Sequence, residues 1–203
     1  RPKTMSSLLI IIDAWSYWPK EMQVEKTMHR IINFAKNEEV TGVALATYGI
    51  PGCVERDEPF FSNSQKIFCD ETKMDTLRKQ WLDYKPTFNN NTHELIANME
   101  LHKNQLGFIA LDPLEILFYC NCVNTSIQNI YVTGFVYERC VRDRPVGIIE
   151  LNNCNQSNMF INKQNIFLQT DLVQRQDNKP IEPSKIEWQY IDGNKYLYTD
   201  PIP

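Results

Sequence analysis

Histidine, clustered basic residues and long apolar runs are all scarce in this chain, and each scarcity excludes a class of function. Only three of the 203 residues are histidines, and none stands in a metal-ligand pattern with the cysteines, so we expect no metal. We expect no cofactor either. The formal net charge is −4, which argues against nucleic acid as a partner, since a phosphate-binding surface needs clustered Lys and Arg. The longest apolar run, LLIIIDAW from Leu8, is far too short to cross a bilayer, so we expect no membrane partner.

Targeting signals are also lacking, and this bears on the six cysteines. No charged segment followed by a long apolar one opens the sequence, so we expect no signal peptide. An even number of cysteines would suit a disulfide framework in a small secreted chain, but in a chain of this size without a signal we expect reduced thiols. We therefore expect a cytoplasmic protein, or one in the host-cell cytoplasm or a particle if the source is a virus. The cysteines are Cys53, Cys69, Cys120, Cys122, Cys140 and Cys154.

What the chain does contain is an alternation of short aliphatic runs and helical patterns. Such alternation predicts an α/β domain with a mostly parallel sheet. The run from Leu8 to Ile12 is continuously aliphatic, as in a strand that is buried on both faces. Further strands are predicted at 43–47, 82–85, 107–111, 130–133 and 166–169, with helices up to Asn37, at 70–82, from Thr92 as N-cap, and at 114–120.

The last thirty residues differ in composition from the rest. They are polar, contain several prolines and are rich in tyrosine, and Asp192-Gly193 is a good two-residue hairpin turn. We therefore divide the chain into a domain at 5–173 and a C-terminal extension at 174–203, predicted to be a β-hairpin or arm. Such an arm either serves assembly or packs back on its own domain.

Three predicted strands end in residues that could do chemistry together. These residues are Asp13 after LLIII, Lys85 after WLDY and Cys140 beyond IYVTG. Ligands of open parallel sheets bind beyond the carboxyl ends of the strands. A thiol has a pKa of about 8.5 and becomes a nucleophile when a nearby cation stabilises the thiolate. Lys85 could supply that charge, while Asp13 could take the thiol proton and return it to a leaving amine. Taken singly, Asp13 could be an ordinary loop carboxylate, Lys85 a solvated surface lysine and Cys140 an inert buried thiol.

The order and spacing of these residues resemble the isochorismatase-like cysteine hydrolases. The matching segments are LLIIIDAW with Asp13, DYKPTFNNNTHEL with Lys85, and VTGFVYERCV with Gly134 and Cys140. The resemblance covers about residues 7–173, and the interval from VTG to the cysteine is its most specific part.

The resemblance implies a Rossmann-like three-layer α/β/α sandwich that hydrolyses a C–N or vinyl-ether bond in a small substrate. It assigns Cys140 as nucleophile, Asp13 as general base and Lys85 as the group that lowers the thiol pKa. It also implies a cis peptide at Phe135–Val136 and an oxyanion hole made by the backbone amides of Val136 and Cys140, as well as a homo-oligomer.

The chain also departs from the family pattern. Trp15 replaces the usual Gln or Asn, no histidine follows the second strand as in the metal-dependent nicotinamidases, and Pro145 must interrupt a helix that begins at Cys140. Charged residues crowd the cysteine, among them Arg144. Three interpretations follow: an active hydrolase of a small amide or ureide, a catalytically inactive member kept as a structural or interaction module, and an unrelated doubly wound fold with a coincidental cysteine.

Overall fold

The computed structural model describes residues 6–38, 40–47, 83–101, 106–111 and 113–199. Its strands are β1 (Ser6–Ile12), β2 (Gly42–Ala46), β3 (Leu106–Ala110), β4 (Ile127–Phe135), β5 (Asn165–Gln174), β6 (Trp188–Asp192) and β7 (Lys195–Tyr198). They form one sheet in the order β3-β2-β1-β4-β5-β7-β6. The first five strands pair in parallel, and the last two pair antiparallel. The predicted α/β class with a mostly parallel sheet is confirmed.

Helices pack against this sheet through two groups of buried side chains. The helices are α1 (Val24–Asn37), α2 (Asn90–Leu101), α3 (Pro113–Phe118) and α4 (Ile148–Gln156). Successive side chains of β1 point to opposite faces of the sheet and belong alternately to the two groups, as the two-residue period of a strand requires. Leu8, Ile10 and Ile12 pack with residues of α3 and α4. Leu9 and Ile11 pack with residues of α1 and α2.

Two local predictions around residue 85 are wrong. Asp83 and Tyr84 are helical and Lys85 opens a 3-10 turn, Lys85–Thr87, so Lys85 does not close a strand. Pro86 explains this, because it has no N–H to give to a sheet and its fixed φ suits the first turn of a helix. The cap of α2 is Asn89 rather than Thr92, since the Asn89 Oδ1 atom accepts the Thr92 N–H at 3.0 Å. The helix predicted at 70–82 lies outside the described residues.

The C-terminal strands are part of the main sheet. β7 pairs with β5 through Phe167–Leu197 and Leu168–Tyr196, and it pairs with β6 across Gly193 and Asn194. Trp188 is 5% exposed and belongs to the buried group around α3 and α4. The described part of the extension, up to Thr199, therefore packs back on the domain, which was one of the two alternatives. In the described ranges, no helix is long and apolar enough to cross a membrane.

The described cysteines are of two kinds. Cys120 and Cys154 are buried free thiols and Cys140 is a half-buried free thiol. Cys122 is disulfide-bonded. The expectation that all six cysteines are reduced is therefore wrong at Cys122.

Candidate active site

Adjacent strand ends bring Asp13 and the loop before Cys140 side by side. β1 and β4 are neighbours, and Ile12 is paired with Gly134. Gly134 has φ +116°, and a Cβ atom at this position would collide with the Ile12 backbone. Only glycine allows the two strands to approach so closely where they end. The glycine of the VTG motif therefore fixes the position of the residues that follow it relative to Asp13.

Asp13 occupies a fully buried position just beyond β1. Its side chain is 0% exposed and its φ is 53°, in the left-handed region that Asp tolerates better than most residues. The Asp13 N–H donates to the Ala46 carbonyl at 2.8 Å. The Asp13 carbonyl accepts the Trp18 indole N–H at 2.7 Å. These bonds hold the carboxylate in place at the end of the sheet.

Cys140 lies on a short π-helical turn that directly follows β4. The Phe135–Val136 peptide is cis, at the position that the resemblance implies. The turn spans Tyr137–Val141, and the Val141 N–H donates to the Val136 carbonyl at 3.2 Å. The Val136 backbone amide also interacts with the Cys140 thiol and favours its ionised form, lowering its pKa. This places one of the two predicted oxyanion donors beside the sulfur.

Arg144 supplies a cation beside this pair. Its Nε and Nη2 atoms each lie 3.0 Å from the Asp13 Oδ2 atom. Arg144 follows Cys140 by four residues, and its N–H donates to the Cys140 carbonyl at 3.1 Å, so the two side chains share one face of a helical turn. Pro145 ends that turn, and α4 begins only at Ile148. The helical turn begins at Tyr137 rather than at Cys140, as the sequence predicted, and it stops before Pro145. It brings the Arg144 guanidinium to the Asp13 carboxylate.

Burial sets the direction of the Asp13 pKa. Desolvation raises the pKa of this carboxyl above its ordinary value and outweighs the opposing effects of Arg144, Cys140 and Thr47. The Oδ1 atom has no hydrogen-bond partner of full geometry among the described residues. A desolvated carboxylate of raised pKa is a better proton acceptor than an ordinary aspartate.

The Cys140 thiol is protonated in this arrangement. Burial, followed by the charge of Asp13 and a hydrogen bond to it, raises the pKa of Cys140 to about 11. The Val136 amide and the charge of Arg144 act in the opposite direction but are weaker. Cys140 thus has the geometry of a nucleophile activated by a neighbouring base, and it lacks the low pKa of a standing thiolate.

Lys85 lies in a segment that contacts the site, but its side chain is exposed. The Ser16 N–H donates to the Thr87 carbonyl at 3.0 Å, and the Asn89 N–H donates to the Ala14 carbonyl at 3.0 Å. The groups that act most strongly on the pKa values of Asp13 and Cys140 include Arg144 and do not include Lys85. The structure thus brings Asp13, Cys140 and Val136 together and places Arg144, rather than Lys85, at the carboxylate.

The position of Arg144 near the site could have been predicted from its spacing in the sequence. Arg144 stands four residues after Cys140 and directly before Pro145, so it falls on the last turn that a helix from Cys140 can complete. In the sequence, however, Arg144 is one of several charged residues near Cys140, and nothing in the composition distinguishes it from the others.

Aromatic side chains wall the site on the β1 side. Trp15 stacks on Tyr17 and Trp18 with ring centroids 4.9 and 5.2 Å apart. The Arg144 guanidinium carbon lies 5.8 Å from the Trp15 ring centroid, and the Trp15 N–H donates to the Thr47 hydroxyl at 3.2 Å. A cavity of about 580 Å³ lies beside Trp15 and Trp18, but Asp13, Cys140 and Arg144 do not line it. Trp15, the residue that departs from the family pattern, therefore packs against Arg144.

Metal ligation finds no support within the described ranges. No group of three or more His, Cys, Asp or Glu side chains in them is arranged to hold a metal ion.

Comparisons with known proteins do not identify a family for this chain. No family model, no curated protein and no solved structure matches this chain. The resemblance therefore depends on the three quoted segments and on the geometry of the residues they contain.

Proposed function

We propose that the chain is a cysteine hydrolase of the isochorismatase-like kind, acting on a small amide, ureide or related C–N substrate. The proposal includes a Rossmann-like three-layer α/β/α sandwich with a C-terminal hairpin. The observation that carries it is the meeting of Asp13 and Cys140, far apart in the chain, close enough that each affects the other's pKa.

The proposed reaction has two half-reactions. Asp13 takes the proton from the Cys140 thiol as the sulfur attacks the substrate carbonyl carbon, and the backbone amides of Val136 and Cys140 hold the resulting oxyanion. The C–N bond then breaks, the amine leaves with the proton from Asp13, and a thioester remains on Cys140. Asp13 next takes a proton from water as the water oxygen attacks the thioester carbon. The C–S bond then breaks, the acid leaves, and Asp13 returns the proton to the Cys140 sulfur.

Arg144 has a defined part in this cycle. Its charge stabilises both the Asp13 carboxylate and a Cys140 thiolate, so it lowers both pKa values. This is the role that the resemblance assigns to Lys85. Lys85 would join the site only if its exposed side chain turned inward, and Lys85→Ala compared with Arg144→Gln tests which cation is used.

The test is a screen of small amides and ureides with the wild type, Cys140→Ser and Asp13→Asn, combined with intact-mass detection of the thioester. We expect hydrolysis and a trapped acyl group on Cys140 in the wild type, and neither in the two variants. Cys154→Ser, which replaces a buried free thiol of helix α4, is the control that should retain activity.

A second candidate is an inactive member of the same fold that serves as an interaction module or homo-oligomer. The observation that favours it is the ion pair between Arg144 and the buried Asp13, which occupies the proposed base in the resting state. Wild-type protein with no acyl-enzyme from any substrate, together with a stable assembly in solution, would favour this candidate over the hydrolase.

A further inference from the structure

The turn that carries Cys140 is a short one in which two N–H groups share a single acceptor. It is a π-helical turn, a rare element that often occurs at functional sites. The N–H groups of Arg139 and Val141 both donate to the Val136 carbonyl, at 3.3 and 3.2 Å. Backbone bonding within the turn is therefore sparse, and the position of the sulfur relative to Asp13 depends on what the neighbouring side chains contact.

Two ion pairs join this turn to the C-terminal extension. The Arg142 Nη2 atom, just beyond the turn, lies 3.2 Å from the Glu187 Oε1 atom. Near the start of the turn, the Glu138 Oε1 atom lies 3.1 Å from the Arg175 Nε atom. The charged residues two positions before and two positions after Cys140 are thus both paired with residues of the extension.

An aromatic contact joins the same two parts of the chain. Tyr137, the first residue of the turn, packs against the buried group that contains Trp188 of β6. Burial raises the pKa of Tyr137, and Arg142, Glu187 and the hydrogen-bonding side chain of Trp188 also act on it. Trp188 is 5% exposed, so this contact fixes the start of the turn against the core.

We propose that the C-terminal extension holds the Cys140 turn against Asp13, with Arg175, Glu187 and Trp188 as positioning residues. The inference rests on the proposed function, because it concerns how the nucleophile is held at its base. The extension lies outside the segment that resembles the isochorismatase-like hydrolases. The extension is therefore part of the framework of the site, in addition to completing the sheet.

Loss of one of these contacts should act on the turn more than on the whole fold. The Arg142 and Glu187 side chains are 38% and 25% exposed, and an ion pair of this kind contributes little to global stability. Without it, the turn should move away from Asp13 more often while the sheet stays folded. Burial and the charge of Asp13, which together raise the pKa of Cys140, would then act on the thiol less. The expected signature is a Cys140 that is alkylated faster.

The experiment is a double-mutant cycle on the pair, with the rate of iodoacetamide alkylation at Cys140 at pH 8 measured by mass spectrometry. We expect Arg142→Gln and Glu187→Gln each to raise the rate, and the double variant to raise it no more than one of them. This corresponds to a coupling of about two- to threefold in rate. If the two charges acted on the thiol only through space, Arg142→Gln would slow alkylation, Glu187→Gln would speed it, and the effects would be additive.

Tyr137→Phe tests the aromatic contact without a change of charge. It removes the hydroxyl that interacts with Trp188 and should raise the alkylation rate of Cys140 about threefold. The apparent pKa from the pH profile should fall below the wild-type value of about 11, a change that a general loss of stability would not produce. Lys185→Gln is the matched control, since it removes an exposed charge two residues before Glu187 and should leave the rate unchanged.

Additive effects of opposite sign in the cycle, together with a wild-type rate in Tyr137→Phe, would overturn the positioning role. Alkylation does not depend on turnover, so this failure is distinct from a failure of the proposed function. Coupling in the cycle without hydrolysis of any substrate would support the positioning role and count against the hydrolase alone. Hydrolysis by the wild type without coupling, and with Tyr137→Phe unchanged, would overturn the positioning role alone.

Discussion

At the scale of single residues, the site combines a buried carboxylate, a half-buried thiol and a guanidinium. Asp13 is 0% exposed and Arg144 reaches it from the turn after Cys140. Removing the carboxylate from water works against its ionised form, and the arginine offsets only part of that cost. The carboxylate is thus kept in a state ready to accept a proton.

Asp13→Asn tests this balance through the pH dependence of stability. Because burial raises the folded-state pKa of Asp13 above 3.8, the folded state binds its proton more tightly than the unfolded state does. The stability that this gives is complete below the unfolded pKa and is lost as pH rises through the folded pKa. We expect the free energy of unfolding of the wild type to fall relative to Asp13→Asn as pH rises from about 4 to 7.

Urea unfolding of both proteins across this pH range measures the difference. The opposite trend, with the wild type gaining stability over the variant as pH rises, would mean that the Arg144 ion pair outweighs the burial of Asp13.

At the scale of elements, the site depends on where strands β1 and β4 end. The aliphatic run of β1 and the β-branched run before Gly134 are strong strand signals, and parallel pairing of the two brings their carboxyl ends to the same edge. The positive φ of Gly134 and its contact with Ile12 make the glycine necessary there.

Gly134→Ala should lower the free energy of unfolding by about 3 kcal/mol or more, because the alanine would have a disfavoured φ and collide with backbone atoms. Gly193→Ala is the matched control, since Gly193 also has positive φ but has no atom within 4 Å of an added Cβ. It should cost only about 1 kcal/mol. Equal losses in chemical denaturation would show that the close approach of the two strands contributes nothing.

Residues of the site that directly follow a strand could be placed from the sequence. The positions of residues on short turns could not. Asp13 and the VTG segment follow strong aliphatic runs, so their meeting could be predicted. Lys85 was placed at the end of a strand because WLDY looks extended, but Pro86 favours a 3-10 turn that leaves the lysine exposed. Arg144 was missed because its reach to Asp13 depends on where the turn after Cys140 stops.

At the scale of the whole molecule, the C-terminal strands complete the sheet. β7 adds to β5, and β6 adds to β7, so these two strands share the hydrogen bonding of the sheet. Trp188 lies in the main buried group, while Tyr190 on the same strand is 59% exposed. Composition predicted the hairpin turn, but whether the segment would pack on its own sheet depended on long-range pairing that no local pattern encodes.

Trp188→Ala should therefore lower the free energy of unfolding of the whole domain by about 3–5 kcal/mol, as expected for a large side chain removed from a core. Tyr190→Ala, on the same strand, should lower it by only about 1 kcal/mol, because the exposed ring contributes one edge contact with Tyr196. A single unfolding transition with these two values would establish one cooperative unit. A small loss at Trp188 would indicate a separable arm.

The most direct test of the whole account is the pH dependence of iodoacetamide alkylation at Cys140, followed by mass spectrometry, in the wild type, Asp13→Asn and Arg144→Gln. We predict an apparent pKa of about 11 in the wild type, a lower value in Asp13→Asn, where the negative charge is gone, and a higher one in Arg144→Gln. Asp13→Asn would then alkylate faster and yet hydrolyse nothing. This is expected if Asp13 raises the pKa of the Cys140 thiol and is also the base that takes its proton during the reaction. An ordinary thiol pKa that neither substitution changes would contradict the coupling of Asp13, Cys140 and Arg144.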